Sequence, residues 1–357
     1  MNTLGLFFFI ALLVFRLGAG AQTSVVLAGS AQPAKPSAYS VENVVLESKA
    51  AGAALKGKLM LPPGAGPHPV VVLQSGLGPG DRLLAEHLAQ AAIAVLELEE
   101  PGVHRGFWTP NAFAEDALAA VRWLKARPGI DPKKIGLVGH SQRGVAAAMA
   151  AGKQPADIAF VVLLAAVGVP GEEWHMRQIV DQTRAAGADE DLVAKAIALW
   201  HELIPRVIVA AEAEQAKKIA HETVTRHFAG FTAEQREAHG LDEKMIKQIE
   251  ETLASPAFRE YIAFDPRPFF RRVKCPLLAL NGSKDLQVAA KDNLAAIAAE
   301  LKMGGNERVK NVEFPGLDHF FQTATPQGVD AKSPLAQSIS PTVLKTVSDW
   351  ITEQARR

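Results

Sequence analysis

Ile135-Gly136-Leu137-Val138-Gly139-His140-Ser141-Gln142-Arg143-Gly144 is the stretch that decides the fold. It begins as a short apolar run bounded by glycine, which is typical of a buried strand. It turns at Gly139-His140-Ser141 and continues into the alanine-rich run Val145–Ala151, which favours a buried helix. A strand, a sharp turn with serine at its tip and a helix together form a nucleophile elbow. We therefore expect a strained backbone at Ser141, with its hydroxyl lifted clear of the sheet.

One position departs from the elbow pattern G-x-S-x-G. Arg143 stands where the pattern has glycine, and the glycine comes one residue later, at Gly144. The Arg143 side chain could crowd the turn, extend outward without effect, or enter the cleft and pair with Glu99 or an acidic substrate group. The elbow motif alone does not establish the function. A reactive role for Ser141 also requires partner residues, which other loops have to supply.

Length and composition exclude several classes of protein. The chain has 357 residues, 48% of them hydrophobic and 21% charged, as expected of a globular protein. That length allows one large α/β domain with an insertion of roughly a hundred residues. Lysine plus arginine equals aspartate plus glutamate at 38 each, so no global field favours nucleic acid or anionic membranes. The single cysteine, Cys275, excludes an intramolecular disulfide and a cysteine-cluster metal site, and we expect a buried thiol there.

The first residues have the composition of an export signal. Leu4–Phe15 is an apolar run, and Arg16 and a segment rich in small residues follow it. Such a run is short for a bilayer and fits a cleavable signal, although no positive charge precedes it. We interpret residues 1–21 as a signal peptide, with an uncleaved anchor as the alternative, and residues 22–37 as a flexible linker. We then expect an exported protein, periplasmic or secreted, with no stable membrane partner once the signal is cleaved.

Strand-like and helix-like patterns alternate through most of the chain. Strands are predicted at Val41–Leu46, Leu55–Leu61, Pro69–Leu73, Ala94–Leu98, Ile135–Val138, Phe160–Ala165, Pro276–Leu280 and Val309–Phe314. Helices are predicted at Arg82–Ala92, Ala112–Ala126, Val145–Ala151, Asp292–Leu301 and Pro341–Ala355. This alternation implies right-handed crossovers and an α/β fold with a doubly wound, mostly parallel sheet.

A long segment interrupts the alternation. From about Gly168 to Tyr261 the strand pattern stops and only helical patterns follow. An insertion of this size between strands should cover the carboxyl end of the sheet, where such folds bind ligands, so we predict a helical lid. The predicted organisation is a core at 38–167, a lid at 168–265 and the rest of the core at 266–357.

Two loops after late strands supply candidate partners for Ser141. A serine hydroxyl needs a base, and the base needs an acid to orient it, in the chain order Ser, Asp or Glu, His. Asp285 follows the strand that ends at Leu280, and His319 follows the strand that ends at Phe314. We therefore predict a catalytic triad of Ser141, Asp285 and His319.

These assignments have plainer alternatives. His319 could be a surface loop histidine, and Asp285 could be a turn-forming aspartate. Asp318 is a competing acid, but its adjacency to His319 leaves it poorly placed to reach the ring of its own neighbour. His140 should point away from the cleft if the elbow forms as predicted.

An oxyanion hole requires two backbone N–H groups aimed at the developing negative charge. One candidate is Gln142, immediately after the nucleophile, and the other is Leu77, in the glycine-rich loop after the third predicted strand. Each such donor is worth roughly 3 kcal/mol of transition-state stabilisation. The alternative for Gly76-Leu77-Gly78 is an ordinary strand-to-helix turn.

The chain resembles the serine α/β-hydrolases, in particular the bacterial exported esterase and peptidase-like branch with a helical lid, from about Val41 to Arg357. The resemblance rests on the runs Ser75-Gly76-Leu77-Gly78-Pro79-Gly80-Asp81-Arg82, Gly139-His140-Ser141, Ala165-Ala166-Val167-Gly168-Val169-Pro170-Gly171-Glu172, Asn281-Gly282-Ser283-Lys284-Asp285 and Gly316-Leu317-Asp318-His319. It implies hydrolysis of a carboxylic ester, or less often a thioester or amide, through an acyl-enzyme. Ser141 would attack, His319 would shuttle the proton and Asp285 would hold the histidine tautomer.

The chain departs from that family at three places. Many members have His-Gly where this chain has Ser75-Gly76, and most have glycine in place of Arg143. Relatives usually have Asp-Asp-Arg-Gly where this chain has Glu99-Glu100-Pro101-Gly102, so Pro101 replaces a side chain that could brace the oxyanion loop. A catalytically inactive ligand-binding protein of the same fold therefore remains an alternative, as does a peptidase or acyltransferase that uses the same triad.

The expected partner is a small-molecule ester, with no metal and no organic cofactor. His221, Glu222 and His227 lack the spacing H-E-x-x-H and are better explained as a solvated helix face than as metal ligands. The sequence leaves the acyl and alcohol groups and the oligomeric state open.

Overall fold

The structure is a computed structural model that describes residues 39–48, 53–99, 110–234, 236, 243–324 and 339–357. The predicted signal peptide, the linker and Pro101 lie outside these residues. The described chain forms two compact units. One, the helical unit, is Pro170–Asp265; the other, the sheet unit, runs up to Val169 and resumes at Pro266.

An eight-stranded sheet forms the centre of the sheet unit. Its strands are β1 Ser40–Ser48, β2 Ala53–Leu61, β3 His68–Gln74, β4 Ala94–Leu98, β5 Ile130–His140, β6 Phe160–Leu164, β7 Leu277–Gly282 and β8 Val309–Phe314. Their order across the sheet is β1-β2-β4-β3-β5-β6-β7-β8. The pairs β1–β2 and β2–β4 are antiparallel, and every later pair is parallel. The predicted mostly parallel α/β sheet is confirmed.

In chain order the helices are α1 Pro79–Gln90, α2 Pro110–Lys125, α3 Gln142–Lys153, α4 Gly171–Ala185, α5 Glu190–Ile208, α6 Ala213–Ala229, α7 Glu243–Ala254, α8 Pro256–Ala263, α9 Arg267–Phe270, α10 Ala290–Met303 and α11 Pro341–Arg356. Helix α1 begins three residues before the predicted start at Arg82. Pro79 accounts for the difference, because proline suits the first turn of a helix, where its missing N–H is not needed.

The central strands contain continuous apolar runs because they are covered on both faces. Every residue of Val70–Leu73 and of Phe160–Leu164 is buried. Gly136 of β5 is needed for this packing, since a Cβ there would collide with the ring of Phe160. Cys275, just before β7, is a buried free thiol as the sequence predicts.

The helical unit is assembled from helices α4 to α8 around its own aromatic core. The rings of Trp174 and Tyr261 lie edge to face, with their centroids 4.8 Å apart. Asp189 caps α5 by accepting a hydrogen bond from the Leu192 amide, at 2.8 Å. In the part of the chain that the structure describes, no helix is both long and apolar enough to cross a membrane.

Parallel pairing brings four loops to one edge of the sheet. The strands β3, β5, β7 and β8 end at Gln74, His140, Gly282 and Phe314, and their carboxyl ends face the same way. The loops that follow these strands carry Leu77, Ser141, Asp285 and His319. In open α/β sheets this edge is where ligands bind.

Candidate active site

Ser141 lies at a strained turn between β5 and α3. Its φ is 55° and its ψ is −126°, a region that residues with a side chain rarely adopt. The turn is held by a 2.8 Å hydrogen bond from the Ser141 amide to the Leu164 carbonyl of β6. The serine side chain does not cap the helix that follows. The elbow backbone is therefore as the sequence predicts.

The close packing of the elbow explains the displaced glycine. A Cβ at Gly139 would collide with the Arg143 carbonyl, and one at Gly144 would lie 2.6 Å from the Cβ of Ala166. The tight contacts of the turn therefore fall on residues 139 and 144. Position 143 has room for a side chain, so Arg143 does not crowd the turn.

Arg143 extends beneath the loop after β3. Its guanidinium lies 5.0 Å from the centre of the Phe113 ring and packs against Gly76, where any Cβ would collide with Nη1. It lines a small cavity together with Glu99. Burial lowers the pKa of Arg143, and the charge of Asp81 opposes that shift. Burial likewise raises the pKa of Asp81.

The predicted acid and base meet in the structure. His319 Nδ1 lies 2.8 Å from Asp285 Oδ2, and both side chains are buried. The other carboxylate oxygen of Asp285, Oδ1, accepts the amides of Gln287 and Val288 at 2.8 Å each. Asp285 is thus fixed by its own loop and presents one oxygen to the imidazole. A carboxylate in that position selects the tautomer of His319 that carries hydrogen on Nδ1.

The competing acid has a different role. Asp318 Oδ1 accepts the amides of Phe320 and Gln322, each at 2.9 Å, and so shapes the loop that carries His319. Burial raises the pKa of Asp318, against the effect of these two amides. Its carboxylate is thus used within the turn, in agreement with the sequence argument.

His140 makes a contact with the predicted base that the sequence did not indicate. Its ring is buried and lies against that of His319, with centroids 4.6 Å apart. Its Nε2 lies 3.0 Å from the carbonyl oxygen of His319. No local pattern could indicate this contact, because the two residues are 179 positions apart and meet only through the sheet.

The backbone amides of the two candidate oxyanion donors differ in their hydrogen bonding. Gln142 is the first residue of α3, so its amide has no partner within the helix. The Leu77 amide points to Asp81 Oδ1 at a long 3.4 Å. Among the described residues, no hydrogen bond joins Ser141 Oγ to His319. Such catalytic hydrogen bonds are often long in unliganded enzymes and tighten when substrate binds.

Two histidines of the helical unit pair with carboxylates. His221 Nδ1 lies 2.7 Å from Glu250 Oε1, and His227 Nε2 lies 3.0 Å from Glu202 Oε2. No group of three or more His, Cys, Asp or Glu side chains is arranged as metal ligands within the described ranges.

A serine on a strained strand-to-helix turn, with a buried His–Asp pair after the last two strands, places the chain among the serine α/β-hydrolases. Residues 51–302 match the family described as X-Pro dipeptidyl-peptidase (S15 family). The match covers more than half of the chain, which therefore belongs to the S15 family.

Among curated relatives, the chain is 24% identical to "Esterase EstD" of Thermotoga maritima over 315 residues. That alignment covers 83% of this chain and 65% of the relative, so the chain spans less than two thirds of the relative's length.

Solved structures share the fold at low identity. Est1E from Butyrivibrio proteoclasticus is 16% identical, with a TM-score of 0.51, over 88% of this chain and 99% of its own. The esterase of the archaeon Pyrobaculum calidifontis gives 16% and 0.51, over 88% and 84%. Dipeptidyl peptidase 4 of Porphyromonas gingivalis gives 11% and 0.51, over 88% and 35%. The predicted α/β-hydrolase fold is confirmed.

Proposed function

We propose that the chain is a serine hydrolase that cleaves carboxylic esters through an acyl-enzyme intermediate. The observation that carries this proposal is the 2.8 Å contact between His319 Nδ1 and Asp285 Oδ2, next to the strained turn of Ser141. A buried carboxylate that accepts Nδ1–H leaves Nε2 of the imidazole without hydrogen. That nitrogen can then accept the Ser141 hydroxyl proton.

The proposed reaction has two halves. Ser141 Oγ attacks the ester carbonyl as its proton passes to His319 Nε2, and His319 then gives that proton to the departing alcohol. Water then attacks the acyl carbonyl as its proton passes to the same nitrogen, and His319 returns that proton to Ser141 Oγ as the bond to the acyl group breaks and the acid leaves. The proposed donors to the oxyanion are two backbone amides, that of Gln142 at the amino end of α3 and that of Leu77.

A peptidase is the second candidate, and the family match favours it. The S15 family is described by cleavage after X-Pro, whereas the curated relative carries the name of an esterase. The same triad can serve both reactions, but a peptidase also has to bind the amine of the substrate and protonate it as it leaves. Comparing p-nitrophenyl butyrate with alanyl-prolyl-p-nitroanilide at equal concentration separates the two candidates. Faster turnover of the ester supports the esterase, and faster turnover of the anilide overturns it.

Ser141→Ala tests the triad itself. We expect turnover of the preferred substrate to fall at least ~10³-fold, since the nucleophile is lost. A fluorophosphonate probe should label the wild-type chain, and peptide mapping should place the label on Ser141. Unchanged hydrolysis in Ser141→Ala, or a label on another residue, contradicts the assignment. Absence of both hydrolysis and labelling in the wild type supports an inactive ligand-binding protein instead.

Export and substrate selection complete the proposal. Residues 1–21 support an exported enzyme through their apolar run and the small residues after it. N-terminal sequencing of the chain recovered from the periplasm or medium of a bacterial host tests this, and an intact residue 1 contradicts cleavage.

The helical unit, inserted between β6 and β7, is proposed to act as a lid that selects the acyl or alcohol group. Substitutions confined to that unit should then change the preference among ester chain lengths more than they change fluorophosphonate labelling.

A further inference from the structure

His140 is a buried titratable residue that the proposed reaction does not use. It is the last residue of β5, directly before Ser141, and only 3% of its surface is exposed. Its ring contacts the loop of His319 and lies near the loop after β3. Nε2 lies 3.0 Å from the carbonyl oxygen of His319, and a Cβ built at Gly76 would lie 3.9 Å from Nδ1.

The contact with His319 fixes the tautomer of His140. A carbonyl oxygen only accepts hydrogen bonds, so at 3.0 Å the Nε2 of His140 has to carry the hydrogen. Burial and the neighbouring His319 hold the pKa of His140 well below its ordinary value, so the ring is neutral at physiological pH. Nδ1 is then an acceptor.

Neutrality matters for the partner ring. The two centroids are 4.6 Å apart, and the planes are inclined at 50°. When His319 takes a proton from Ser141, it becomes an imidazolium. A neutral ring against that cation adds no charge repulsion, whereas a charged ring would raise the energy of the intermediate. Phe320 completes the enclosure, 5.8 Å from the His140 ring and 5.3 Å from the His319 ring.

We propose that His140 is a positioning residue: through its Nε2–H···O=C bond and its ring contact it holds His319 in register with Ser141. The inference rests on the proposed function, because it assigns a role relative to the triad. Asp285 holds the imidazole of His319 through Nδ1, and His140 holds the backbone carbonyl of His319. Together they leave the catalytic ring little freedom to rotate or shift.

Two pairs of variants test the proposal. His140→Gln carries an amide donor about as far from the backbone as Nε2, whereas His140→Asn is one methylene too short to reach the His319 carbonyl. His140→Phe keeps a ring and loses the donor. His87→Phe is the matched control. His87 lies in α1 of the same unit, and its side chain makes a hydrogen bond to Ser348 of the same length, 3.0 Å, as the His140 bond.

We expect kcat for p-nitrophenyl butyrate to fall on the order of 10²-fold in His140→Phe and His140→Asn, the usual cost of a misplaced catalytic group. KM should stay unchanged, because His140 is proposed to act through His319 and not on substrate. His140→Gln should recover most of kcat, and His87→Phe should lose none. Full kcat in His140→Phe and His140→Asn, or equal loss in His140→Gln and His140→Asn, overturns the proposal.

A spectroscopic measurement keeps the test independent of catalysis and of any one variant's folding. The proton between His319 Nδ1 and Asp285 should give a downfield proton resonance in the wild-type chain. We expect it to broaden or shift in His140→Asn and to persist in His140→Gln. If the wild type neither hydrolyses esters nor labels at Ser141, the proposed function fails, and this resonance still decides whether His140 positions His319. An unchanged resonance in all variants contradicts positioning.

Discussion

His319 Nδ1 lies 2.8 Å from Asp285 Oδ2, and the carboxylate is anchored by two backbone amides on its other oxygen. One oxygen of Asp285 is held by its own loop, and the other is left for His319. This arrangement explains why a loop aspartate can orient a histidine precisely enough for proton transfer. Neither side chain has to be ordered by substrate, because both are buried and bonded beforehand.

Asp285→Asn should lower kcat by about 10⁴-fold while the fold is retained. The amide would donate to Nδ1 of His319, which forces hydrogen onto Nε2 and leaves no acceptor for the Ser141 proton. Steady-state ester hydrolysis measures the loss. Asp318→Asn is the matched control, because its Oδ1 still accepts the amides of the loop and most activity should remain. Equal losses in the two variants would mean that the acid has been misassigned.

Gly139→Ala should destabilise the chain by about 1–3 kcal/mol, the usual cost of overpacking. Its Cβ would collide with the Arg143 carbonyl, and the turn that holds Ser141 has to move to relieve the clash. Fluorophosphonate labelling should slow as well. Gly230→Ala serves as the control, since Gly230 has helical angles and its Cβ would meet the His227 carbonyl at an ordinary 3.5 Å. A similar stability for both variants, by chemical unfolding, would argue against close packing at the elbow.

Much of the fold follows from patterns that are local in sequence. The apolar runs of β3, β5, β6 and β7 identify buried parallel strands, because only such strands are covered on both faces. Asp285 and His319 could be selected because each follows one of the last strands, and parallel strands direct their following loops to one edge.

The remainder depends on contacts between distant segments. The site of His140 against His319 requires the end of β5 and the loop after β8 to meet, which no spacing encodes. The place of Arg143 depends on Gly76 leaving room for a guanidinium and on Phe113 lying beneath it. The displaced glycine is visible in the sequence, but the reason for it is the close approach of Gly144 to Ala166, which only the fold shows.

Cys275 should be inert toward alkylation in the folded chain. Burial raises the pKa of its thiol to about 12, so only about 10⁻⁴ of it is thiolate at pH 8. Iodoacetamide should modify it rapidly after unfolding in guanidinium chloride and hardly at all before. Mass spectrometry of the whole chain gives the extent directly, since the chain has one cysteine. Equal rates in the two states would show that the thiol is accessible.

Glu202 should make the helical unit lose stability in acid. Hydrogen bonds from Arg226 and His227 of α6 lower the pKa of this α5 carboxylate from 4.5 to about 2. Because the pKa of Glu202 is lower in the folded than in the unfolded chain, its charge stabilises the unit at pH values above about 4.5. This contribution is lost as the pH falls from about 4.5 to 2. Glu202→Gln should therefore speed amide exchange in α5 and α6 at neutral pH, and its difference from wild type should vanish near pH 2. The control, Glu251→Gln, removes an exposed charge from α7 and should change neither helix. A deficit in Glu202→Gln that persisted at pH 2 would assign the effect to packing and not to charge.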